Sequence, residues 1–253
     1  WALFVAGPGY LWMGSFFYLL ALLLCGDLIR GILLLASKAL PVTLLTAPGS
    51  RLLLSRVLAV TAVGLTAVVS GVAVKTGLEA PQVRRVQVPL ARLSAGLDGL
   101  RIVQLSDLHV GGLLRRSFVS EVVRRVNSLK PDIVVITGDL VDAGVPQLQG
   151  DVAPLADLRA RYGVYFVTGN HEYYAGVEPW LSHLPRLGIK ILGNERVTIG
   201  EGDAVLDLAG VHDYGSGHEA RPAGHGADLA KALLGHDPSR ELVLLAHQPK
   251  QVD

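Results

Sequence analysis

Charge is scarce in this sequence. Only 18% of its 253 residues are Asp, Glu, Lys or Arg, while half are hydrophobic. An average soluble domain is charged at roughly a quarter of its positions. Lys and Arg number 23 and Asp and Glu 22, which leaves a formal net charge of +1. So balanced a chain has no bulk attraction for nucleic acid, and no nucleic-acid partner is expected. Cysteine is scarcer still. The single thiol, Cys25, sits inside an apolar run, which excludes a disulfide framework and a cysteine-built metal cage. Neither an internal repeat nor a low-complexity tract is present.

The apolar excess is concentrated near the N-terminus. Trp1 to Cys25 contains no charged residue, and neither does Val57 to Val74, which Arg56 and Lys75 bracket. At ~1.5 Å per helical residue each run is long enough for a spanning helix in a ~30 Å hydrocarbon core. Aromatic residues of the first, among them Trp12 and Tyr18, suit an interface. A signal peptide fits poorly, because there is no basic leading region and the run is too long. Between the two lies a mixed stretch, Asp27 to Arg56, read as interfacial or partly re-entrant. Its Arg30, Lys38, Arg51 and Arg56 favour the cytoplasmic side, which places whatever follows the second span outside the cytoplasm. The expected organisation is a membrane region over residues 1–80 and a catalytic domain over residues 81–253.

From about Pro81 the pattern changes to short Val- and Ile-rich runs alternating with amphipathic stretches. Strands are predicted at 84–88, 100–105, 132–137, 163–167, 189–192, 205–209 and 242–246. Helices are predicted at 117–129, 152–162, 178–184 and 227–234. Alternation of strands and helices, with nearly continuous apolar strands, implies a layered α/β domain.

Four of the strands end in polar residues that share a chemistry. The first ends in Asp107-Leu-His109 and the second in Gly138-Asp139, with Asp142 three residues on. The third ends in Gly169-Asn170-His171-Glu172, and the last in His247. In an open α/β sheet, ligands bind beyond the carboxyl ends of the strands, so these donors converge. Any one of them alone is an ordinary turn or capping residue. Together they supply carboxylates, imidazoles and an amide oxygen without a thiolate, a set suited to Mn, Fe, Zn or Mg. A carboxylate oxygen can bridge two such ions, and two ions can clamp a phosphoryl group.

These motifs resemble the signature of the calcineurin-like metallophosphoesterase family from about Leu100 onward. With apolar segments in front, the chain is similar to its bacterial membrane-associated branch of predicted phosphohydrolases. The resemblance implies a metallophosphoesterase-type sheet sandwich flanked by helices and two divalent metal ions. It implies that Asp107 and His109 hold the first ion, that Asp139 bridges both, and that Asn170 and His247 hold the second. His171 would protonate the leaving oxygen without binding metal, and Asp142 would orient it. The nucleophile would be a metal-bridging hydroxide, since coordination lowers the pKa of water to about 7.

Family members close the site with a Gly-His-x-His motif on a later loop. This chain has none, so the domain is expected to continue past Asp253. His183 is expected on a helix face, and His212, His218, His225 and His236 in loops or at the surface. Arg115 and Arg116 are read either as phosphate contacts or as solvated residues at a helix start. Tyr173 and Tyr174 either shape the pocket mouth or pack beneath the next helix. The function implied is a membrane-anchored phosphoesterase acting on a phosphorylated small molecule or lipid, a lipid-linked phosphate or pyrophosphate among the candidates. The alternative is a catalytically inactive membrane scaffold or sensor that keeps the fold.

Overall fold

The computed structural model describes residues 2–39, 47–79, 81–213 and 225–251. Two compact units emerge, Trp1–Glu79 and Ala80–Asp253.

The first unit is a pair of helices, α1 (Ala2–Ala39) and α2 (Pro48–Leu78). Within each, a stretch of about 30 residues is long and apolar enough to cross a membrane. α1 does not stop at the end of its charge-free run but continues through Asp27 and Arg30, which pair within the helix at 3.2 Å. Residues 27–39, expected to be interfacial or re-entrant, are therefore helical. Pro48 starts α2, where a missing N–H costs nothing. The unit is apolar on the outside: Trp12, Phe17, Val60 and Val68 are all largely exposed. Polar hydroxyls are satisfied internally, Thr66 by the Ala62 carbonyl and Ser15 by Ser70 of the facing helix.

The second unit is layered. Its first sheet has four parallel strands in sequence order, β1 (Ile102–Leu105), β2 (Ile133–Thr137), β3 (Val164–Val167) and β4 (Ile189–Ile191). Helices α3 (Arg116–Ser128), α4 (Val145–Val152), α5 (Asn170–Tyr174) and α6 (Val177–His183) occupy the connections. A second sheet contains β5 (Glu195–Glu201), antiparallel to β6 (Ala204–Gly210), which pairs in parallel with β7 (Leu242–Leu245). A one-turn helix, α7 (Leu229–Ala232), precedes β7.

Because successive strand side chains point to opposite faces, each central strand serves two cores. Val134 and Ile136 of β2, with Val164 and Phe166 of β3, face the helices and pack with Val119, Val122, Val123, Leu148 and Trp180. Ile133, Val135, Tyr165 and Val167 face the other way, onto Ile199, Leu206, Leu208 and Leu245 of the second sheet. Burial on both faces explains why these strands read as unbroken apolar runs.

Three expectations for this unit are corrected. Residues 84–88 form no strand; Val86 and Val88 are exposed, so their alternation had no core to face. The helix expected over 152–162 is replaced by α4, which ends at Val152, and a 3-10 turn, Ala153–Asp157. Pro154 lies in the first turn of that segment, where its ring blocks continuation of the preceding helix. Finally, β5 arises in a segment from which no strand was expected. It forms a hairpin with β6 around Gly202, whose left-handed backbone (φ 58°) suits the tight turn.

Candidate metal centre

The chain leaves β1 and β2 side by side. Asp107 N–H donates to the Gly138 carbonyl (3.2 Å), His109 N–H to Asp139 (3.0 Å) and Val110 N–H to Leu140 (2.9 Å). Asp107, His109 and Asp139 all adopt left-handed backbone, with φ of 54°, 45° and 51°. That conformation costs an L-residue roughly 1–2 kcal/mol, and Asp, Asn and His are the side chains most often found in it. Strain of this kind gathers where a structure must aim side chains at one point. Gly138 adds a fourth left-handed residue (φ 86°), and a Cβ there would stand 2.5 Å from Gly169 N and 2.8 Å from His247 Nδ1. Only glycine lets three strand ends approach so closely.

What they aim at is one carboxylate oxygen. Asp139 Oδ2 lies 3.4 Å from His247 Nε2, 3.8 Å from His109 Nε2 and 4.0 Å from His171 Nε2. Each imidazole is held by its other nitrogen. His109 Nδ1 and His171 Nδ1 donate to the same oxygen, Asp142 Oδ1, at 2.7 and 2.8 Å, and His247 Nδ1 donates to the Thr137 carbonyl at 2.9 Å. With Nδ1–H fixed, Nε2 faces Asp139, the atom by which a neutral His109 or His247 would ligate a metal. Asp107 Oδ1 stands 4.0 Å from His109 Nε2. Donor atoms of His109, Asp139 and His171 lie within 4.8 Å of one another, as do those of Asp107, Asp139 and His247. Metal–ligand bonds to N and O are ~2.0–2.2 Å, so ligands of one ion stand up to about 4 Å apart. The spacing and donor chemistry therefore fit divalent ions, with Asp139 common to both groups.

Of the residues expected here, Asp107, His109, Asp139, Asp142, His171 and His247 come together. Asn170 opens α5 beside them, half-buried. Asp142 does more than expected, since it holds His109 as well as His171. The two rings meet edge-to-face, with centroids 4.4 Å apart.

Electrostatics follow the geometry. Burial pushes the Asp139 carboxyl up, but His247, the His171 N–H (2.9 Å from Asp139 Oδ1) and the His171 charge outweigh it and hold Asp139 below its ordinary value. The facing Asp139 carboxylate raises His247 to about 9 against the opposing effect of burial.

Several contributors were not apparent beforehand. Glu172, fully buried, accepts from the N–H groups of Asp139 (3.0 Å), Leu140 (2.8 Å) and Gly169 (2.7 Å). It joins the turns after β2 and β3; the signal was its place directly after Asn170-His171. A second polar group lies at the ends of β3, β6 and β7. Thr168 accepts from Asp213 N–H (2.9 Å), Gln248 donates to Asp213 Oδ1 (3.0 Å), and His212 Nδ1 is 3.2 Å from Thr168 Oγ1. His212 stacks on His225 at 4.6 Å, and Tyr173 Oη lies 3.2 Å from His225 Nδ1. His212, His225 and His236 lie in loops, as expected, and each is engaged there, His236 by the buried Asp207 at 2.7 Å. His218 falls outside the described residues. Arg115 and Arg116 are engaged by α4, through Asp151 and the Gly150 carbonyl.

The same segment carries the similarity to known proteins. Residues 100–251 match a family model described as calcineurin-like phosphoesterase. A transmembrane protein with metallophosphoesterase domain from Bos taurus is 44% identical over 195 residues, which cover 74% of this chain and 44% of that protein. An uncharacterized metallophosphoesterase from Helicobacter pylori is 40% identical over 176 residues, 70% of this chain and 45% of that protein. A UDP-2,3-diacylglucosamine pyrophosphatase, LpxG, from Chlamydia trachomatis is 41% identical over 93 residues, 36% of this chain and 28% of that protein. The chain therefore spans less than half the length of each of these relatives.

Proposed function

The chain belongs to the calcineurin-like phosphoesterase family, a family that uses divalent metals, and from that premise we propose that it is a membrane-anchored, dinuclear-metal hydrolase of phosphate esters or pyrophosphates. One observation carries the reading: three imidazoles, each with Nδ1 anchored, turn Nε2 toward the single oxygen Asp139 Oδ2. Asp107, His109, Asn170 and His247 would hold the ions, with Asp139 common to both. Bound there, the ions would supply an activated water and neutralise charge on the phosphoryl group.

The protein's own residues do the rest. Asp142 keeps the His171 ring turned by accepting from its Nδ1–H, so that Nε2, when it also carries a proton, can deliver it to the leaving oxygen. The Gly138 and Gly169 turns, tied through Glu172, hold Asp139 and Asn170 still while charge moves past them. A lipid-linked phosphate or pyrophosphate is the substrate class favoured by two apolar helices on the same chain and by the name of the Chlamydia relative.

The test is metal content and turnover of the full chain with manganese. Asp139→Asn is expected to lose most bound metal and all hydrolysis of an aryl phosphate ester. His171→Ala is expected to retain metal and lose ~10²-fold or more in turnover, the scale of general-acid catalysis. A metal-loaded wild type inactive on a broad phosphoester panel would leave the scaffold reading standing. Loss of metal in His171→Ala would make that residue a ligand.

A further inference from the structure

Two tyrosines follow Asn170-His171-Glu172 and part company in the fold. Tyr173 turns inward, its hydroxyl 3.5 Å from Thr168 and 3.2 Å from His225. Tyr174 turns outward and remains 68% exposed. It lies three residues after His171 on α5, a spacing that brings helical side chains together. The two rings meet edge-to-face, with centroids 5.4 Å apart. Among the described residues the Tyr174 hydroxyl makes no hydrogen bond, and its ring packs against His171. Among the described residues of this unit, Tyr174 is the one aromatic side chain among the exposed large hydrophobics. In the loop after His109, Leu113 is a second exposed apolar side chain, and a Cβ at Gly111 of that loop would stand 3.0 Å from Asp142 Cβ.

We propose that Tyr174 is a specificity-determining residue that forms a leaving-group subsite for flat or apolar moieties. The inference rests on the reading of His171 as the acid. A proton donor must stand on the leaving-group side, and Tyr174 is the ring beside that donor. An aromatic or extended apolar leaving group packs against the Tyr174 face. A small polar leaving group gains nothing there. Stacking on one ring changes affinity by about three- to ten-fold.

Phosphonates separate binding from turnover, because their P–C bond is not hydrolysed. The experiment is calorimetric titration of the manganese-loaded full chain with phenylphosphonate and with methylphosphonate. Wild type is expected to bind phenylphosphonate about three- to ten-fold more tightly. Tyr174→Ala should bring the two within about two-fold while leaving methylphosphonate affinity unchanged, which also reports an intact site. Tyr174→Phe should keep the preference, since the ring and not the hydroxyl is at work. Equal affinity in wild type, no binding of phenylphosphonate, or a preference that survives Tyr174→Ala overturns the proposal. A Tyr174-dependent preference in a protein that hydrolyses nothing sustains the subsite and removes the hydrolase reading instead.

Discussion

Glu172 illustrates how much of a metal centre is built by residues that touch no metal. Its carboxylate is buried, and burial raises its pKa against the pull of the three backbone N–H groups that bond to it. Those N–H groups belong to the turns that present Asp139 and Asn170. Asp139 N and Gly169 N share Oε2, and Leu140 N takes Oε1. An amide has a single acceptor oxygen, so Glu172→Gln must set its NH2 against at least one of these donors. A buried donor left without a partner costs about 1–3 kcal/mol. Urea unfolding should register a loss of that size, with weaker metal binding; unchanged stability would show that the carboxylate holds nothing in place.

At the scale of elements, the site is a meeting of strand ends, and β6 brings no proposed ligand of its own. It contributes His212 and Asp213, which tie the end of β3 at Thr168 to Gln248 beyond β7. Burial, aided by the nearby charges of His225 and Lys231, lowers His212 to about 4 from an ordinary 6.5. The folded state therefore resists protonation that the unfolded chain accepts. Its contribution to stability is complete above pH 6.5 and is lost as pH falls through 4, by about 3 kcal/mol in all. Denaturation series from pH 7 to 4 should show this decline, and His212→Gln should flatten it. An unchanged slope in the variant would mean that other groups carry the acid sensitivity.

At the scale of the whole molecule, the helical pair differs in kind from the layered α/β unit. Its large apolar side chains point outward, whereas those of the second unit pack into two cores. In water such a surface would aggregate; in lipid it needs no cover. The full chain is expected to sediment with membranes and to resist extraction by alkaline carbonate. Release into the carbonate supernatant would rule out spanning helices.

Much of this was legible in the sequence, for reasons that differ by residue. The central strands were readable because both of their faces are buried, so Ile133 to Ile136 had to be apolar throughout. That Asp107, His109, Asp139, His171 and His247 would cluster was readable because each follows a strand that delivers it to the same end of a sheet. Segments 84–88 and 152–162 misled because local pattern cannot report whether a core lies nearby or how Pro154 is placed. The sequence by itself determined the donors, the strand ends that carry them and the apolar helices in front, since each is written in local composition and spacing. Only the tertiary structure decided that Asp142 holds two histidines, that Glu172 ties two turns, and that Tyr173 turns inward while Tyr174 turns out. Those outcomes depend on contacts between residues up to dozens of positions apart, and on helix geometry too short to read, neither of which local spacing encodes.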